Sequence, residues 1–318
     1  MVNIELIEAK KADLNELTHF YISCHYPETN HESYNAAFKL MKERFQFIID
    51  LYITDILIAR SEEQIVGVQC LSTVMPSLVF IDEWDPTIRQ SQSMNEIAYE
   101  LIEKSKEFTR KQERRNLRIF LGGITEDRQA RYLQYKSWYE TTGFQHTHIS
   151  LCLVVDLSKI KTRELEIIQK YSTVPLKAVD SNIIKDTYNT VFKDTADRFT
   201  ASLDPQEKEG FFNLNFDKKK LHDTAVALFN KNELIGFLGA QEQSEETIEI
   251  VGFGIHPNYR GQGLGNKMLL MQLKKFADSG FMTCYTEVDP GNKAPYHLYK
   301  KYGFELVAKK SGFLWRAD

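Results

Sequence analysis

Residues His256–Lys267 read HPNYRGQGLGNK, in which Gly261, Gly263 and Gly265 alternate behind Arg260 and run straight into the apolar-periodic MLLMQLKKF. The chain holds only 16 glycines in 318 residues, so three within five positions need a local cause. Upstream, Thr247–Ile255 (TIEIVGFGI) is β-branched and apolar and reads as a strand. Downstream, Met268, Leu269, Met271, Leu273 and Phe276 fall on one face of a helix. The glycines therefore sit at a strand-to-helix junction. A helix start presents unpaired backbone N–H groups and the positive end of the dipole, and together these attract anions. Glycine permits positive φ and lets a phosphate approach the backbone. A tight turn alone also accounts for a glycine cluster, but this setting favours a phosphate cradle.

The kind of phosphate is narrowed by what is missing. The segment lacks the Gly-Lys-Ser/Thr ending of a nucleotide P-loop, and its glycine spacing is not the dinucleotide fingerprint. Asp278 and Glu287 follow, but without the parallel βαβ setting in which an acid takes a ribose hydroxyl. ATP and NAD both fit poorly.

Composition supplies the frame: 42% hydrophobic and 26% charged residues describe an ordinary globular chain, and this length predicts two domains. A net charge of −4 gives no basic footprint for nucleic acid. No apolar run approaches the roughly 20 residues a membrane span needs, and MVNIELIEAKKADL resembles no export signal, so no membrane partner and a cytoplasmic location are expected. Cys24, Cys70, Cys152 and Cys284 lie far apart without metal-ligand spacing, which predicts reduced structural thiols and no bound metal.

The chain also repeats itself. ILIARSEEQIVGVQCL from Ile56 and AVALFNKNELIGFLGA from Ala225 both read strand, polar turn, strand, with Gly67 and Gly236 at corresponding places. RQSQSMNEIAYELIEKSKEF from Arg89 parallels the segment from Arg260, and WYETTGF, ending at Phe144, parallels LYKKYGF, ending at Phe304. Three landmarks in the same order at a nearly constant displacement predict a tandem duplication, residues 1–155 and 172–318, joined by the charged stretch DLSKIKTRELEIIQKYS as a connector or short helix. Hairpins with intervening helices predict an α+β domain in each copy, with a mixed, mainly antiparallel sheet flanked by helices.

At these residues the chain resembles the GNAT superfamily of acetyl-CoA-dependent N-acetyltransferases. The family's pyrophosphate motif, Arg/Gln-x-x-Gly-x-Gly/Ala, is matched by Arg260, Gly263 and Gly265. A second motif, Asn then Leu-Tyr then Gly-Phe, is matched by Asn292, Leu298, Tyr299, Gly303 and Phe304. In detail the resemblance covers about residues 225–318. Through the duplication it extends to two tandem GNAT-like domains, similar to tandem-GNAT proteins of the mycothiol synthase type. The first copy departs from the motif, carrying Gln92 and Met94 where the second has Gly263 and Gly265. Side chains there obstruct phosphate approach, so the first copy is expected to bind no coenzyme A and to act as a scaffold.

The resemblance implies acetyl-CoA as donor, with Arg260, Gly261, Gln262, Gly263, Leu264 and Gly265 around the pyrophosphate. The strand at Phe253, Gly254 and Ile255 would take the acetyl carbonyl, and Asn292 the coenzyme arm. Gly252 and Gly254 suggest a bulge that splays this strand. Tyr299 is expected to protonate the departing thiolate. Glu249 is the first candidate for the base that takes the amine proton, set against a solvent-facing residue beside Glu245 and Glu246; His256 is its rival. The acceptor is expected to be a small-molecule amine. The acidic runs Glu242–Glu249 and Asp82–Asp85 offer attraction for a cationic amine, or are solvated turns. An acetyl-CoA sensor without turnover, and a protein or peptide amine as acceptor, are the alternatives.

Overall fold

The computed structural model describes residues 2–25, 31–160 and 170–317. Cα packing divides the chain into two compact units, Met1–Thr147 with Ser311–Asp318, and His148–Lys310. The sequence repeat places the boundaries of its copies at residues 155 and 172. The central part of the stretch read as a connector, 161–169, lies outside the described residues.

The first unit opens with β1 (Asn3–Glu8), α1 (Leu14–His25) and α2 (His31–Leu51), then the hairpin β2 (Asp55–Ser61) and β3 (Gln64–Ser72). Two short strands follow, β4 (Leu78–Ile81) and β5 (Thr87–Ile88), then α3 (Met94–Lys111), β6 (Asn116–Ile124), α4 (Gln129–Thr141) and the start of β7 (Gln145–Asp156). β1, β2, β3 and β4 run antiparallel in that order, β5 pairs beside β4 on β3, and β4 lies parallel to β6. α3 is helical because Ile97, Ala98, Leu101, Ile102 and Phe108 recur on one turn-periodic face, and that face is buried in the core with Leu71, Val79 and Leu117.

The second unit takes β7 from residue 148 onward, then β8 (Ser172–Pro175), α5 (Ser181–Phe192), α6 (Arg198–Ser202) and α7 (Pro205–Asn215). Asp204 and Glu207 close a reciprocal capping box at the start of α7, with Pro205 in the first turn. β9 (Val226–Asn230), β10 (Glu233–Ser244) and β11 (Thr247–Ile255) form a meander, followed by α8 (Leu264–Asp278), β12 (Thr283–Val288), α9 (Lys293–Lys301) and β13 (Glu305–Arg316). The sheet order is β7-β12-β11-β10-β9-β8, antiparallel except for the β11–β12 pair; with α8 between them these two strands form a parallel βαβ unit, contrary to the sequence expectation that Asp278 and Glu287 lack that setting. Met268, Leu269, Leu273 and Phe276 of α8 are buried in its core, as their spacing predicts; Met271 packs against that core only half-buried, and Leu264 is buried as well. Both units are α+β with mixed, mainly antiparallel sheets, as the sequence predicted.

The duplication is visible in the main chain. Glu62 and Lys231, each the first residue of its hairpin turn, both adopt positive φ (50° and 53°). Each unit contains a parallel ladder, Leu78↔Asn116 to Ile81↔Ile119 in the first and Thr247↔Thr283 to Ile250↔Thr286 in the second. Main-chain bonds also correct the alignment. Arg89 N donates to Val66 O at 2.9 Å and His256 N to Ile235 O at 2.8 Å, so Arg89 stands where His256 does, and not where Arg260 does. The strand-to-helix loop is longer in the second unit, and the residues preceding the helices are Ser93 and Gly263. Ser93 and Asn95, one position on from Gln92 and Met94, are therefore the counterparts of Gly263 and Gly265.

Candidate active site

The second unit's sheet comes apart at one place. The β11–β12 ladder ends at Ile250↔Thr286, whereas β11 stays paired with β10 as far as Ile255↔Gly236 and β12 with β7 as far as Val288↔Leu151. Between Ile250 and Gly252 the β10 register slips by one residue, so Val251 is the extra residue of a β-bulge. The bulge falls where the ladder stops, and a gap opens between the strands beyond it. Gly252 and Gly254 serve another purpose than making this bulge: a Cβ would come within 2.7 Å of Phe216 Cζ at Gly252 and within 2.3 Å of Val191 Cγ1 at Gly254. They let the α5 side chain Val191 and Phe216, just past α7, lie against the strand.

The bulge also sorts side chains onto the two faces. Glu249 pairs with Gln241 and Gly252 with Gly239, so Glu249, Gly252 and Gly254 share the face on which Val191 and Phe216 lie. Phe253 and Ile255 face the other way, where Phe253 Cζ and Ile255 Cγ1 lie against Gly265 of α8, with Leu298 of α9 beside them.

At the open end of the gap stands the glycine loop. Gly261 and Gly263 have φ of 77° and 74°, the left-handed region, and at neither would a Cβ meet an atom within 4 Å. Conformation, not crowding, requires glycine there, and the space above the loop is open. Gly263 is the N-cap of α8, supplies no side-chain cap, and no acidic residue sits in the first turn. Leu264, buried at the first helical position, anchors the helix start. These features suit an anionic group. Arg260 braces the loop: its Nε donates to Ile255 O at 3.0 Å and its Nη2 to Val191 O at 2.8 Å. Gln262 accepts a bond from the Tyr171 hydroxyl at 3.1 Å. His256 is spent on the turn, its Nδ1 accepting from Asn258 N at 3.3 Å. Asn292 precedes α9 and makes no capping bond with its side chain.

Beneath the end of the ladder lies Tyr299, 4% exposed, with its ring 5.1 Å from that of Phe304. Burial pushes its phenol up to about 12; the neighbouring Thr286 hydroxyl opposes the shift and the nearby Cys284 adds to it. Thr286 Oγ1 donates to Ile250 O at 3.3 Å, so the Tyr299 hydroxyl lies beside the last rung before the gap. Glu249 stands one residue before that rung on the opposite face. Burial raises its carboxyl to about 7, the charge of Glu287 adds to the rise, and Lys310 and a bond from Gln243 Nε2 oppose it. A carboxyl of that strength is matched to proton abstraction near neutral pH. The Glu242–Glu246 end of the acidic run is exposed: Glu242 lies at the end of β10, and Glu245 and Glu246 form the turn to β11.

Sequence reading missed Thr286, which lies beside Tyr299 and bonds Ile250 O, and the neighbours of Glu249 on its own face. The signal available was the alternation in β12, where Thr283, Tyr285 and Glu287 are half-buried and Cys284, Thr286 and Val288 are buried.

In the first unit the equivalent gap is filled. Between β4 and β5 the segment Asp82–Pro86 occupies the place of the bulge, and Asp85, 1% exposed, is far from the solvated turn the sequence suggested. Its carboxylate accepts from Cys70 N at 2.6 Å and from the Tyr21 hydroxyl at 2.9 Å. Tyr139, the counterpart of Tyr299, donates its hydroxyl to Asp85 O, and Tyr135 donates to Pro86 O at 3.0 Å. Asn95, at the position of Gly265, accepts from Trp138 Nε1 at 2.8 Å.

A split sheet with a glycine-capped helix at its mouth and a helix tyrosine at its apex defines the class: residues 188–304 match the acetyltransferase (GNAT) family. Over its whole length the chain shares the fold of a tandem GNAT protein from the clavulanic acid biosynthesis pathway (TM-score 0.60, 13% identity, 100% of this chain and 99% of that one). A GCN5-related N-acetyltransferase from Sphaerobacter thermophilus shares the fold at TM-score 0.62 and 10% identity, over 99% of this chain and 95% of that one. In sequence the chain is similar to mycothiol acetyltransferases of Streptomyces coelicolor (32% identical over 87 residues, 27% of this chain) and Corynebacterium efficiens (29% over 82 residues, 26% of this chain). The matched stretch spans 28% of the length of each of these relatives.

Proposed function

We propose that the chain is an N-acetyltransferase that moves an acetyl group from acetyl-CoA to the amine of a small molecule, with one active site in the second unit. The observation that carries this reading is the gap beyond the Ile250–Thr286 rung, with the α8 glycine loop at one end and Tyr299 and Glu249 at the other. The residues fit coenzyme A: the Gly261–Gly265 loop and the free N–H groups of α8 would hold its pyrophosphate, and the edge of β11 from Phe253 to Ile255 its arm. When bound, acetyl-CoA supplies an acyl group activated as a thioester.

The chain's own groups manage the protons. Glu249 accepts the proton that an ammonium must lose before nitrogen can attack the carbonyl carbon. Tyr299, at the last rung, donates one to the sulfur as the carbon–sulfur bond breaks; the second proton that the nitrogen sheds on becoming an amide restores the tyrosine through solvent, and Glu249 releases its own to solvent. Each transfer contributes about 10²–10⁴-fold in comparable enzymes, and positioning in the gap supplies further rate. The first unit binds no coenzyme in this reading, because Asp82–Pro86 fills its gap and Ser93 and Asn95 replace the loop glycines. The name of the relatives, mycothiol acetyltransferase, supports a small-molecule acceptor.

The test is thiol release from acetyl-CoA with a panel of small amines, with acetylated product identified by mass. Thiol release that depends on an amine supports the enzyme; tight acetyl-CoA binding without release under any amine favours the sensor.

A further inference from the structure

On the face of the second unit's sheet that carries Glu249, β12 presents Tyr285 directly across the ladder and Glu287 two residues further on. Glu287 is fixed from two sides: its Oε1 accepts from the Tyr285 hydroxyl at 2.9 Å and from Lys310 Nζ at 3.1 Å. Cys152 of β7 stands opposite Glu287. Further along, Asp289, 1% exposed, is gripped by Arg198, with Nε–Oδ2 at 2.9 Å and Nη2–Oδ1 at 3.2 Å. Of these three carboxylates, two are paired with cations, whereas among the described residues Glu249 is bonded to the neutral Gln243 amide. The pairing divides the labour. Arg198 holds the Asp289 carboxyl below the usual carboxylate range, Glu287 is fixed in place by Tyr285 and Lys310, and Glu249 is left to titrate.

The first unit shows that these diagonal positions meet. Phe80 stands at the position of Glu249 and Phe120 at that of Glu287, and their rings lie 5.6 Å apart between centroids. Where the gap is filled, the charged pair has become an apolar one.

We propose that Glu287, locked between the Tyr285 hydroxyl and the Lys310 ammonium, is a positioning residue whose fixed negative charge sets the basicity of Glu249. The proposal rests on Glu249 being the base. Groups facing Glu249 are Gln243 from β10, Tyr285 and Glu287 from β12, Cys152 from β7 and Lys310 from β13; the buried Cys284 lies on the far face. Glu287 and Lys310 act in opposite senses, so removing each must move Glu249 in opposite directions.

The experiment follows the Glu249 carboxyl by carbon NMR in the resting protein, assigned with Glu249→Gln, alongside pH–rate profiles. Glu287→Gln lowers the Glu249 midpoint and Lys310→Met raises it, each by roughly one unit. Lys310→Arg leaves it in place, which separates charge from packing. The rate profiles break at the same shifted positions. Midpoints that stay put in both charge-removing variants, while Glu249→Gln still abolishes the break, overturn this proposal and leave the base intact. A break that survives Glu249→Gln overturns the base reading instead, and the NMR midpoints still test the coupling.

Discussion

The hydroxyl of Tyr139 donates to the main-chain carbonyl of Asp85, whereas its counterpart Tyr299 lies beside Thr286, at the last rung before an open gap. One residue type at one position of a repeated fold thus has two tasks. In the first unit tyrosine closes the sheet over the Asp82–Pro86 segment; in the second it faces the place where strands part.

The same substitution must therefore have different consequences in the two units. Tyr139→Phe leaves a buried carbonyl without its donor and costs about 1–3 kcal/mol of stability, with turnover unchanged. Tyr299→Phe keeps the ring packing on Phe304 and lowers kcat about 10²-fold or more, with little change in acetyl-CoA affinity. Thermal unfolding and steady-state kinetics on both variants check this, and equal kcat in wild type and Tyr299→Phe removes Tyr299 from the mechanism.

The loop glycines carry a conformational prediction. At φ of 74° a side chain at Gly263 costs about 1–2 kcal/mol and intrudes on the open side of the loop. Gly263→Val is expected to fold, with a lowered melting temperature, and to lose measurable acetyl-CoA binding. Ser93→Gly in the first unit, where the N-cap φ is −92°, creates no such site.

Glu249 gives the pH dependence. With its carboxyl raised to about 7, the base is ionised above that pH, so log(kcat/KM) for the amine breaks downward as pH falls through about 7, and Glu249→Gln abolishes the break. The stability consequence has the opposite sense. Between the unfolded value, near 4.5, and about 7 the folded state binds the extra proton, so this group's contribution to stability declines as pH rises through that window and is constant above it. Replacing Glu249 with Gln removes the decline, and the melting-temperature advantage of the variant grows as pH rises through the same window.

Much of this was legible from local pattern. The strand–loop–helix around Gly261–Gly265 and the hairpins around Gly67 and Gly236 are set by near neighbours in the chain, and periodicity reports such elements directly. The first unit's shorter loop is not visible in its sequence, where matching Arg89 to Arg260 puts Gln92 and Met94 at the glycine positions; the main-chain bonds of Arg89 and His256 place Ser93 and Asn95 there. The burial of Asp85 was hidden as well, since an acidic run reads as solvent-facing until the Cys70 amide and Tyr21 hydroxyl are seen to receive it. Glu287 and Lys310 lie far from Glu249 along the chain, and strand register, which no local pattern encodes, brings them together.

The most direct measurement is a calorimetric titration of the intact chain with acetyl-CoA, read for stoichiometry. One site per chain, abolished by Gly263→Val and unaffected by Tyr139→Phe, is the predicted result. Two sites per chain, or none, would contradict the assignment of a single coenzyme site to the second unit.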